Sequence, residues 1–536
     1  MKKRSFLYVG LCAIILAASG FALSQSGIPT ASHSLQKYVD ELPLPPSIKV
    51  QDDQLNINLT QFSLQLHRDL PAVAAWGYNG SSPGPTIEVE SNQKVQIHWK
   101  NELPTTHIFA TPSGSMDTDL PDVRNVTHLH GAIVTESDPM NRVQNNDGWP
   151  DAWNVSGQEQ MAEYPNKQSA RTLWYHDHAI GETGRNVAAG LVGLYEIHDP
   201  YERSLNLPKG KFEIPLVFQS QAVVSGARLY SKDITVEFYG NYESVNGKIY
   251  PFLNVEPRKY RFRFVNASNA RTLAMKLIDS TDQSSGPAFY QIGTDSGFLQ
   301  DTAVLNDPAD PSSIRLTMAP AERADVIIDF SQYKGRNFIL KNNSITDPDG
   351  ELQIPELMMF KVGTTLSEVD TSSLPIKMAT IEPIKEKDAS NIRTIKLTVM
   401  TMADGSTMQM INGKMWRDPV DEKPILGSTE IWQIVNGSRY VHPLHVHLVQ
   451  FQILDRTPFD PVAYEKDGSI NVSGPVELPD PNERGWKDVV RASPYHTTRI
   501  IMRFGPYTGH YVYHCHILEH EDMDMMRPFD VVAPTK

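Results

Sequence analysis

The sequence predicts an all-β protein made of consecutive sandwich or barrel domains. Runs rich in Val, Ile, Tyr and Phe recur along the chain and are broken by Pro, Gly and Asn, which is the pattern of short strands joined by turns. The 536 residues include 38 Pro and 33 Gly, and amphipathic helical patterns are scarce. This length is enough for several domains.

An internal repeat sets the number of domains at three. Asn-Gly pairs at 79–80, 246–247 and 412–413 are spaced roughly 165 residues apart, and an alternating strand ending in Asn follows each pair, at 95–101, 262–266 and 432–436. Asn-Gly favours tight hairpin turns, where φ must be positive. We therefore predict three β-domains, the first at 40–200, the second at 201–365 and the third at 391–536, with a polar linker at 366–390 before the third.

The first 24 residues are predicted to be an export signal. Lys2, Lys3 and Arg4 precede an apolar run at 6–18, and small residues near Ser24 offer a cleavage site. That run is too short to span a membrane, and no later stretch qualifies. We expect an exported protein, periplasmic or extracellular, with no membrane span. The choice between general and twin-arginine export stays open.

Charge and cysteine usage narrow the possible partners. The formal net charge of −14, with no basic run beyond the N-terminus, argues against nucleic-acid binding. We expect the protein to be a monomer. Of the two cysteines, Cys12 lies in the predicted signal, so the exported chain would carry Cys515 alone. A lone cysteine in an oxidising compartment needs an explanation, and metal ligation supplies one.

The C-terminal segment 514–525 has the composition of a copper site. On a strand, side chains alternate between faces, so His514 and His516 would point away from Cys515. A thiolate with imidazoles and a weak axial methionine is the ligand set of a blue-copper electron-transfer site. The same stretch of backbone could thus hold one copper through Cys515 and contribute to a second centre.

Histidine pairs elsewhere supply that second centre. Four H-x-H pairs occur, at 128/130, 176/178, 445/447 and 514/516, while His442 and His520 remain to join Cys515. Eight imidazoles without thiolates suit a copper cluster that binds dioxygen, whereas structural zinc sites rarely use so many distant histidines. The middle repeat has no histidine at the equivalent stretch, 271–275, so we expect it to be a spacer that orients the first and third domains. The remaining histidines we interpret as ordinary surface or core residues: His33, His67, His98, His107, His198, His496 and His510.

These motifs resemble those of the multicopper oxidases. H-L-H, W-Y-H-D-H, H-P-L-H-V-H and H-C-H-I-L-E-H-E-D-M-D-M appear in the order of the four copper motifs of that family. Segments 255–263, 319–323 and 485–488 are similar to the bacterial spore-coat laccase type. The resemblance covers the chain from about residue 40 to its end and implies three cupredoxin-like Greek-key domains.

The resemblance also implies four copper ions and their ligands. A type 1 copper would take His442, Cys515, His520 and Met525; a type 2 copper His128 and His445; and two type 3 coppers His130, His176, His178, His447, His514 and His516. Asp147 and Glu521 match acidic groups near the family's dioxygen path, although segment 135–146 is expanded beside Asp147. We interpret Glu519 and Asp522 as a solvated acidic turn. The export signal and the missing cysteine pair are departures from the spore-coat type.

The function implied is that of a laccase. Phenols or aromatic amines would lose single electrons at the type 1 site, where Cys515 and His520 carry them, and dioxygen would be reduced to water at the cluster. Two enzymatic alternatives remain, a Cu(I) or Fe(II) oxidase and a bilirubin-oxidase-like enzyme. Met400, Met402, Met408, Met410 and Met415 give the metal oxidase some support, although alternating Met is more often core packing. A copper-binding or structural protein without turnover is the non-enzymatic alternative.

Overall fold

The computed structural model describes residues 35–136, 138–234, 237–310, 312–343, 354–401 and 407–535, so the predicted export signal lies outside them. Within these ranges the chain forms three successive pairs of β-sheets with a few short helices, which confirms the predicted all-β class. No helix of the described chain has the length and apolar character that crossing a membrane would require.

The first pair of sheets spans residues 47–198. Its strands are β1 (Ser47–Lys49), β2 (Gln54–Leu64), β3 (Val73–Tyr78), β4 (Thr86–Glu90), β5 (Val95–Asn101), β6 (Thr127–His130), β7 (Glu159–Tyr164), β8 (Arg171–Asp177) and β9 (Val192–His198). One sheet has the order β1-β4-β9-β8-β6 and the other β3-β2-β5-β7. Helix α1 (Thr183–Ala189) connects β8 to β9.

The middle pair follows helix α2 (Pro200–Ser204) and a 3₁₀ turn at Gly210–Phe212. Its strands are β10 (Glu213–Val224), β11 (Ala227–Leu229), β12 (Tyr242–Val245), β13 (Lys248–Ile249), β14 (Phe252–Val255), β15 (Lys259–Asn266), β16 (Leu273–Asp279), β17 (Phe289–Thr294), β18 (Gly297–Leu305), β19 (Leu316–Met318), β20 (Arg323–Asp329), β21 (Asn337–Asn342) and β22 (Glu356–Val362). The sheets run β13-β12-β10-β15-β20-β17-β18, with β11 beside β10, and β14-β22-β21-β16-β19.

The third pair follows a 3₁₀ turn at Glu386–Asp388. Its elements are β23 (Asn391–Thr401), β24 (Thr407–Ile411), β25 (Thr429–Asn436), β26 (His442–Val446), β27 (Phe451–Pro458), helix α3 (Pro461–Asp467), a 3₁₀ turn (Pro481–Glu483), β28 (Val489–Ala492), β29 (His496–Arg503), β30 (Gly509–Cys515), helix α4 (Leu518–Asp522) and β31 (Met526–Val531). Its sheets are β24-β23-β25-β29-β27 and β28-β26-β30-β31.

The repeated Asn residues have the same structural roles in all three pairs. Each strand that ends in Asn lies parallel to the first long strand of its pair of sheets. The pairings are β5 with β2, β15 with β10, and β25 with β23. The terminal Asn accepts the backbone N–H two residues later in each case, at 3.0, 3.1 and 2.9 Å. Both residues of each Asn-Gly pair have positive φ, which confirms the predicted tight turns.

The strands that carry the histidine pairs are buried on both faces. β5 alternates between buried and half-buried residues, as a strand with one face on a core does, whereas every residue of β6, β8 and β26 is buried. One face of these strands packs on its own core. The other faces of the first and third pairs of sheets meet along the histidines. If each pair of sheets is taken as one domain, the site lies between the first and the third domain.

Candidate metal centre

Strand pairing places the eight paired histidines in one cluster. In the first domain β6 and β8 are antiparallel neighbours with His128 opposite His176, and in the third β26 and β30 align His445 with His514. The two sheets face each other closely enough for imidazoles to stack: the ring centroids of His130 and His445 are 3.7 Å apart. Residues distant in sequence thus form a single buried group.

Within the cluster, donor atoms gather in threes. His514 Nε2 lies 3.3 Å from the Nε2 atoms of both His178 and His447. Two further triplets of converging donors consist of histidines alone, His130 with His176 and His516, and His128 with His130 and His445. Two ring nitrogens that turn lone pairs toward each other at such distances repel, whereas a shared cation would hold them there.

The outer nitrogens of most of these rings are hydrogen-bonded to the protein. Nδ1 of His128, His176 and His445 lies 2.5, 2.7 and 2.8 Å from the backbone oxygens of Asp147, Asp177 and Asp488. A ring that donates at Nδ1 keeps its Nε2 lone pair free, and the Nε2 atoms of these three rings are buried without a hydrogen-bond partner. The free lone pairs therefore point into the cluster.

Burial keeps the rings neutral. Desolvation lowers the pKa of His176 and His445 to about 3, and it lowers the pKa of His128, His130, His178, His442, His447 and His516 well below the ordinary value. Neighbouring imidazoles lower most of these values further, since two cationic rings would repel. Neutral imidazole is the form that binds a metal ion.

A second group of donors surrounds Cys515. Its Sγ lies 3.4 Å from His442 Nδ1 and 3.7 Å from His520 Nδ1, and all three residues are buried. The far nitrogens are hydrogen-bonded, His442 Nε2 to Ser438 Oγ at 2.8 Å and His520 Nε2 to Glu237 at 2.9 Å. Both rings therefore turn an unprotonated Nδ1 toward the sulfur.

The burial of the Cys515 thiol indicates that a cation binds beside its sulfur. Burial raises the pKa of Cys515 well above its ordinary value, so without a positive charge beside it the side chain would be a neutral thiol. Thiolate and imidazole donors together suit copper. The buried, unpartnered nitrogens of the histidine cluster suit it too, so the residues present fit the copper ions that the sequence motifs imply.

The two adjacent methionines differ in their surroundings. Met525 is fully buried in the apolar cluster that contains Cys515, and its backbone oxygen accepts the Cys515 N–H at 3.0 Å. Met526 pairs with His514 on β31 and packs in a different cluster with Trp149 and Val512. The position of Met525 is therefore the one compatible with an axial ligand at the Cys515 site.

The predicted acidic residues both touch the histidine cluster. Asp147 Oδ2 accepts from His447 Nδ1 at 2.8 Å, and burial together with the Glu136 charge raises the pKa of Asp147 well above its ordinary value. Glu521 Oε2 lies 2.9 Å from His514 Nδ1, and its Oε1 accepts from Thr183 Oγ1 at 2.9 Å. The two carboxyl groups thus approach the cluster from different domains, Asp147 from the loop between β6 and β7 and Glu521 from helix α4.

The interpretation of Glu519 and Asp522 as solvated is wrong. Both are buried, because α4 packs on α1 and the middle domain. Glu519 accepts from Tyr230 Oη and Asn269 Nδ2, each at 2.8 Å, and Asp522 accepts the backbone N–H groups of Thr183 and Gly184 at 2.9 and 2.8 Å. The acidic residues of α4 anchor the turn that follows the cysteine.

Three residues near the metal centre were not among the predicted site residues. Glu237 comes from the middle domain and caps His520, while Arg323 and Asp488 form an ion pair whose carboxylate contacts His130 at 3.2 Å. The segments containing Arg323 and Asp488 stood out by their resemblance to spore-coat laccases, but nothing in them indicated contact with a histidine. None of the described histidines interpreted as ordinary belongs to either donor group.

The methionine-rich hairpin is only partly core. Met410 is buried, but Met400 and Met415 are exposed, and Met400 lies opposite Met408 where β23 pairs with β24. Met402 lies outside the described residues. The expectation of core packing thus holds for Met410 alone.

Comparisons with known proteins agree with this geometry. Residues 64–115 with 122–202 match one family model described as multicopper oxidase, and residues 389–534 match a second with the same description. The chain is 40% identical to a laccase of Bacillus subtilis (strain 168), over 94% of this chain and 100% of the relative, and 40% identical to a laccase of Bacillus stratosphericus, over 93% and 100%. A solved multi-copper oxidase from Pediococcus acidilactici has a TM-score of 0.72 at 27% identity and covers 94% of this chain and 95% of its own.

The lowered imidazole pKa values predict how the metal-free protein responds to acid. In the unfolded chain these rings titrate near 6.5, so below that pH the unfolded state binds more protons than the folded state. Their contribution to stability is therefore fully present above pH 6.5 and declines as pH falls toward about 3. Each such ring should cost about 1.4 kcal/mol per pH unit in that window.

Urea unfolding of the metal-free protein at pH 7, 6 and 5 measures this loss. The matched control is the double variant His176→Gln, His445→Gln, which lacks two of the titrating rings. Its stability should decline with acid less steeply than that of the wild type, by about 3 kcal/mol per pH unit. Equal slopes in the two proteins would contradict the assignment.

Proposed function

The chain belongs to the multicopper oxidase family, and we propose that it holds four copper ions and oxidises small aromatic reductants one electron at a time. It is a laccase-type oxidoreductase that uses dioxygen, as the sequence motifs implied. The proposed ligands are those given by the motifs: His442, Cys515, His520 and Met525 for type 1; His128 and His445 for type 2; and His130, His176, His178, His447, His514 and His516 for type 3.

The observation that carries the proposal is that consecutive residues at the end of β30 contribute to both centres. His514 and His516 belong to the histidine cluster, while Cys515 between them belongs to the other donor group. When bound, copper supplies one-electron transfer at Cys515 and dioxygen reduction among the histidines. The protein provides a route of a few covalent bonds between the two centres.

The chain's own groups manage protons and water. Reduction of dioxygen to water consumes protons, and every cluster imidazole is buried, so protons need carboxyl groups to reach it. Asp147 at His447 and Glu521 at His514 and Thr183 hold carboxyl oxygens at hydrogen-bonding distance from the cluster. We assign both residues to proton supply rather than to metal binding.

We place the entry edge for electrons at the side of the buried His520 ring that faces Glu237. Glu237 covers His520 Nε2 and keeps part of its own side chain at the surface, and the Tyr440 ring centroid lies 6.2 Å from that of His520. A reductant would therefore meet a carboxylate and a phenol ring before the imidazole. Phenols and aromatic amines can donate a hydrogen bond to Glu237 and stack on Tyr440. We therefore propose them, rather than metal ions or bilirubin, as the preferred substrates.

Three further properties are proposed from the sequence. The N-terminal segment 1–24 would direct export to the periplasm or the cell exterior, the chain would divide at 40–200, 201–365 and 391–536, and the protein would act as a monomer. Detection of the mature N-terminus, limited proteolysis and sedimentation would each test one of them.

The copper content follows directly from the proposed ligands. Purified protein should be blue and contain four coppers per chain, because the thiolate of Cys515 gives an intense charge-transfer band with copper. Cys515→Ser should abolish the colour and turnover while about three coppers remain in the histidine cluster. Metal analysis and visible absorption measure both properties.

Two results would contradict this assignment. A Cys515→Ser variant that stays blue would place the type 1 site elsewhere, and a variant that loses all copper would show that the two centres cannot be filled independently. Ser438→Ala serves as the control, since Ser438 contacts His442 only at its outer nitrogen and should leave the colour in place.

The position of Glu237 predicts its effect on different reductants. Glu237→Gln keeps the shape but removes the charge at the His520 edge, so KM for cationic Fe(II) or Cu(I) should rise about 5-fold, the equivalent of about 1 kcal/mol for one nearby charge. KM for a neutral phenolic dye should change less than about 2-fold, because the amide oxygen of Gln still accepts the hydrogen bond that we propose for Glu237. Oxygen uptake with the dye, bilirubin and each metal ion also identifies the preferred reductant class.

Glu465→Gln is the matched control for that experiment. Glu465 is an exposed carboxylate that hydrogen-bonds Tyr495 and does not contact His520. If both variants shift KM for cations equally, the effect is one of overall surface charge, and Glu237 has no special place at the entry edge.

Removing the proton of Glu521 should slow turnover without disturbing the metal. Glu521→Gln should lower kcat by about 10²–10⁴-fold, the usual contribution of a positioned acid, with copper content and blue absorbance unchanged. Glu519→Gln is the control, because Glu519 lies on the same helix, is equally buried, and contacts Tyr230 and Asn269 instead of the cluster. Wild-type kcat in the Glu521 variant, or an equal loss in both, would refute the proton role.

A further inference from the structure

We propose that the ion pair between Arg323 and Asp488 positions the imidazole of His130, which makes the middle domain a structural part of the metal centre. The three residues come from three domains: His130 ends β6, Arg323 begins β20, and Asp488 immediately precedes β28. The inference rests on the proposed copper-binding function and concerns how one ligand is set within it.

The contacts form an unbroken chain from the middle domain to the cluster. Arg323 Nη1 donates to Asp488 Oδ1 at 2.7 Å, and Arg323 Nη2 donates to the other carboxylate oxygen. Asp488 Oδ1 lies 3.2 Å from His130 Nε2. All three side chains are buried, so water does not compete for these bonds.

The guanidinium has a fixed orientation. Arg323 Nε donates to the Thr172 backbone oxygen of the first domain at 3.2 Å, and Nη2 also donates to the Asp295 backbone oxygen at 3.0 Å. A planar guanidinium held at several donors presents its two parallel N–H groups in one direction only. Asp488 therefore has one orientation in which both of its oxygens are satisfied.

The contact with Asp488 gives His130 a different tautomer from its neighbours. His128, His176, His445 and His447 are each held at Nδ1, whereas His130 is held at Nε2 and its Nδ1 is buried without a partner. A carboxylate paired with arginine accepts hydrogen bonds, so the proton of His130 belongs on Nε2. Asp488 thereby selects the nitrogen that His130 offers to the metal centre.

The same residue orients the ring stacked on His130. The backbone oxygen of Asp488 accepts from His445 Nδ1 at 2.8 Å, and the His130 and His445 rings lie 3.7 Å apart. One residue of the third domain thus fixes two facing imidazoles, one from each side of the domain boundary.

Gly131 allows the Arg323–Asp488 ion pair to lie against the backbone next to His130. A Cβ at this position would lie 2.7 Å from Asp488 Oδ2, 2.8 Å from Arg323 Nη2 and 2.8 Å from Leu173 Cδ2, and the backbone φ of +89° also disfavours other residues. The ion pair therefore packs directly on the backbone that follows His130, and a side chain at 131 would push them apart.

The interaction also accounts for two sequence segments that the copper ligands leave unexplained. Residues 319–323 and 485–488 meet at this point, where Glu322 pairs with Lys487 at 3.0 Å beside the Arg323–Asp488 pair. A buried ion pair contributes little net stability compared with apolar residues of the same size, because both charges lose water. What the pair supplies here is a fixed direction for His130.

Asp488→Asn tests the proposal in the copper-loaded protein. The amide keeps the shape and the backbone bond to His445 but no longer pairs with Arg323 or demands a proton on His130 Nε2. Loss of an outer partner of a metal ligand typically costs about 10–100-fold in metal affinity. We expect the variant to release its cluster copper at about 10–100-fold lower chelator concentration, while blue absorbance is lost at the wild-type concentration.

Kinetics separate the two centres in the same variant. Anaerobic bleaching of the blue colour by a phenolic reductant should keep its wild-type rate, because the Cys515 site is untouched. Recovery of the colour on mixing with dioxygen should slow. A variant with wild-type copper retention and wild-type recovery would overturn the proposal.

Glu430→Gln is the matched control. Glu430 is a buried carboxylate of the third domain, bonded at two points to Arg393 at 2.9 and 3.0 Å, and it contacts no histidine of the cluster. Equal loss of cluster copper in both variants would mean that general destabilisation is the cause, which would also overturn the proposal.

Arg323→Lys keeps the experiment decisive if Asp488→Asn does not fold. Lysine retains the charge but cannot bond both carboxylate oxygens in parallel, so we expect a smaller loss of cluster copper than in Asp488→Asn. If Arg323→Lys loses no cluster copper, the proposal is contradicted. Failure of the proposed function itself would look different, because the wild-type protein would then lack the blue colour and the four coppers.

Discussion

The molecule depends on keeping neutral imidazole nitrogens buried, unpartnered and aimed at one another between two domains. Such an arrangement is unfavourable in the absence of a cation, because a buried polar atom without a partner loses its hydration and gains nothing in return. The protein offsets this by anchoring the opposite nitrogen of most rings on a backbone oxygen or a carboxylate. The strands that carry the rings are accordingly buried on both faces.

The segment from β30 through α4 has to contribute to both donor groups. A strand directs alternate side chains to opposite faces, so Cys515 serves one donor group while its neighbours serve the other. The chain must then turn at once to bring His520 and Met525 back to the sulfur, and α4 makes that turn. Glu519 and Asp522 stabilise it by bonding to Tyr230 and to the start of α1, which leaves Glu521 free to face the cluster.

The middle domain contributes more than spacing. It supplies Glu237 at the outer nitrogen of His520 and Arg323 at the carboxylate that holds His130. Both contacts act on the far side of a ring from its donor atom, where a protein can set ring orientation without becoming a ligand. A domain without ligands of its own can in this way influence both centres.

The sequence by itself determined the fold class and the tight Asn-Gly turns, because both depend on residue type and short-range spacing. The resemblance of its motifs to those of the multicopper oxidases indicated which histidines gather and which methionine lies near Cys515. Strand periodicity alone placed Cys515 opposite His514 and His516. The tertiary structure decided what spacing cannot encode: that Glu519 and Asp522 are buried, that Glu237 caps His520, and that His130 is held at Nε2 by Asp488. These contacts join residues more than 280 positions apart or depend on which helix packs over a turn. The neighbouring residues in the chain do not indicate these contacts, because the same Asp or Glu can be solvated by water or paired with an arginine from another domain.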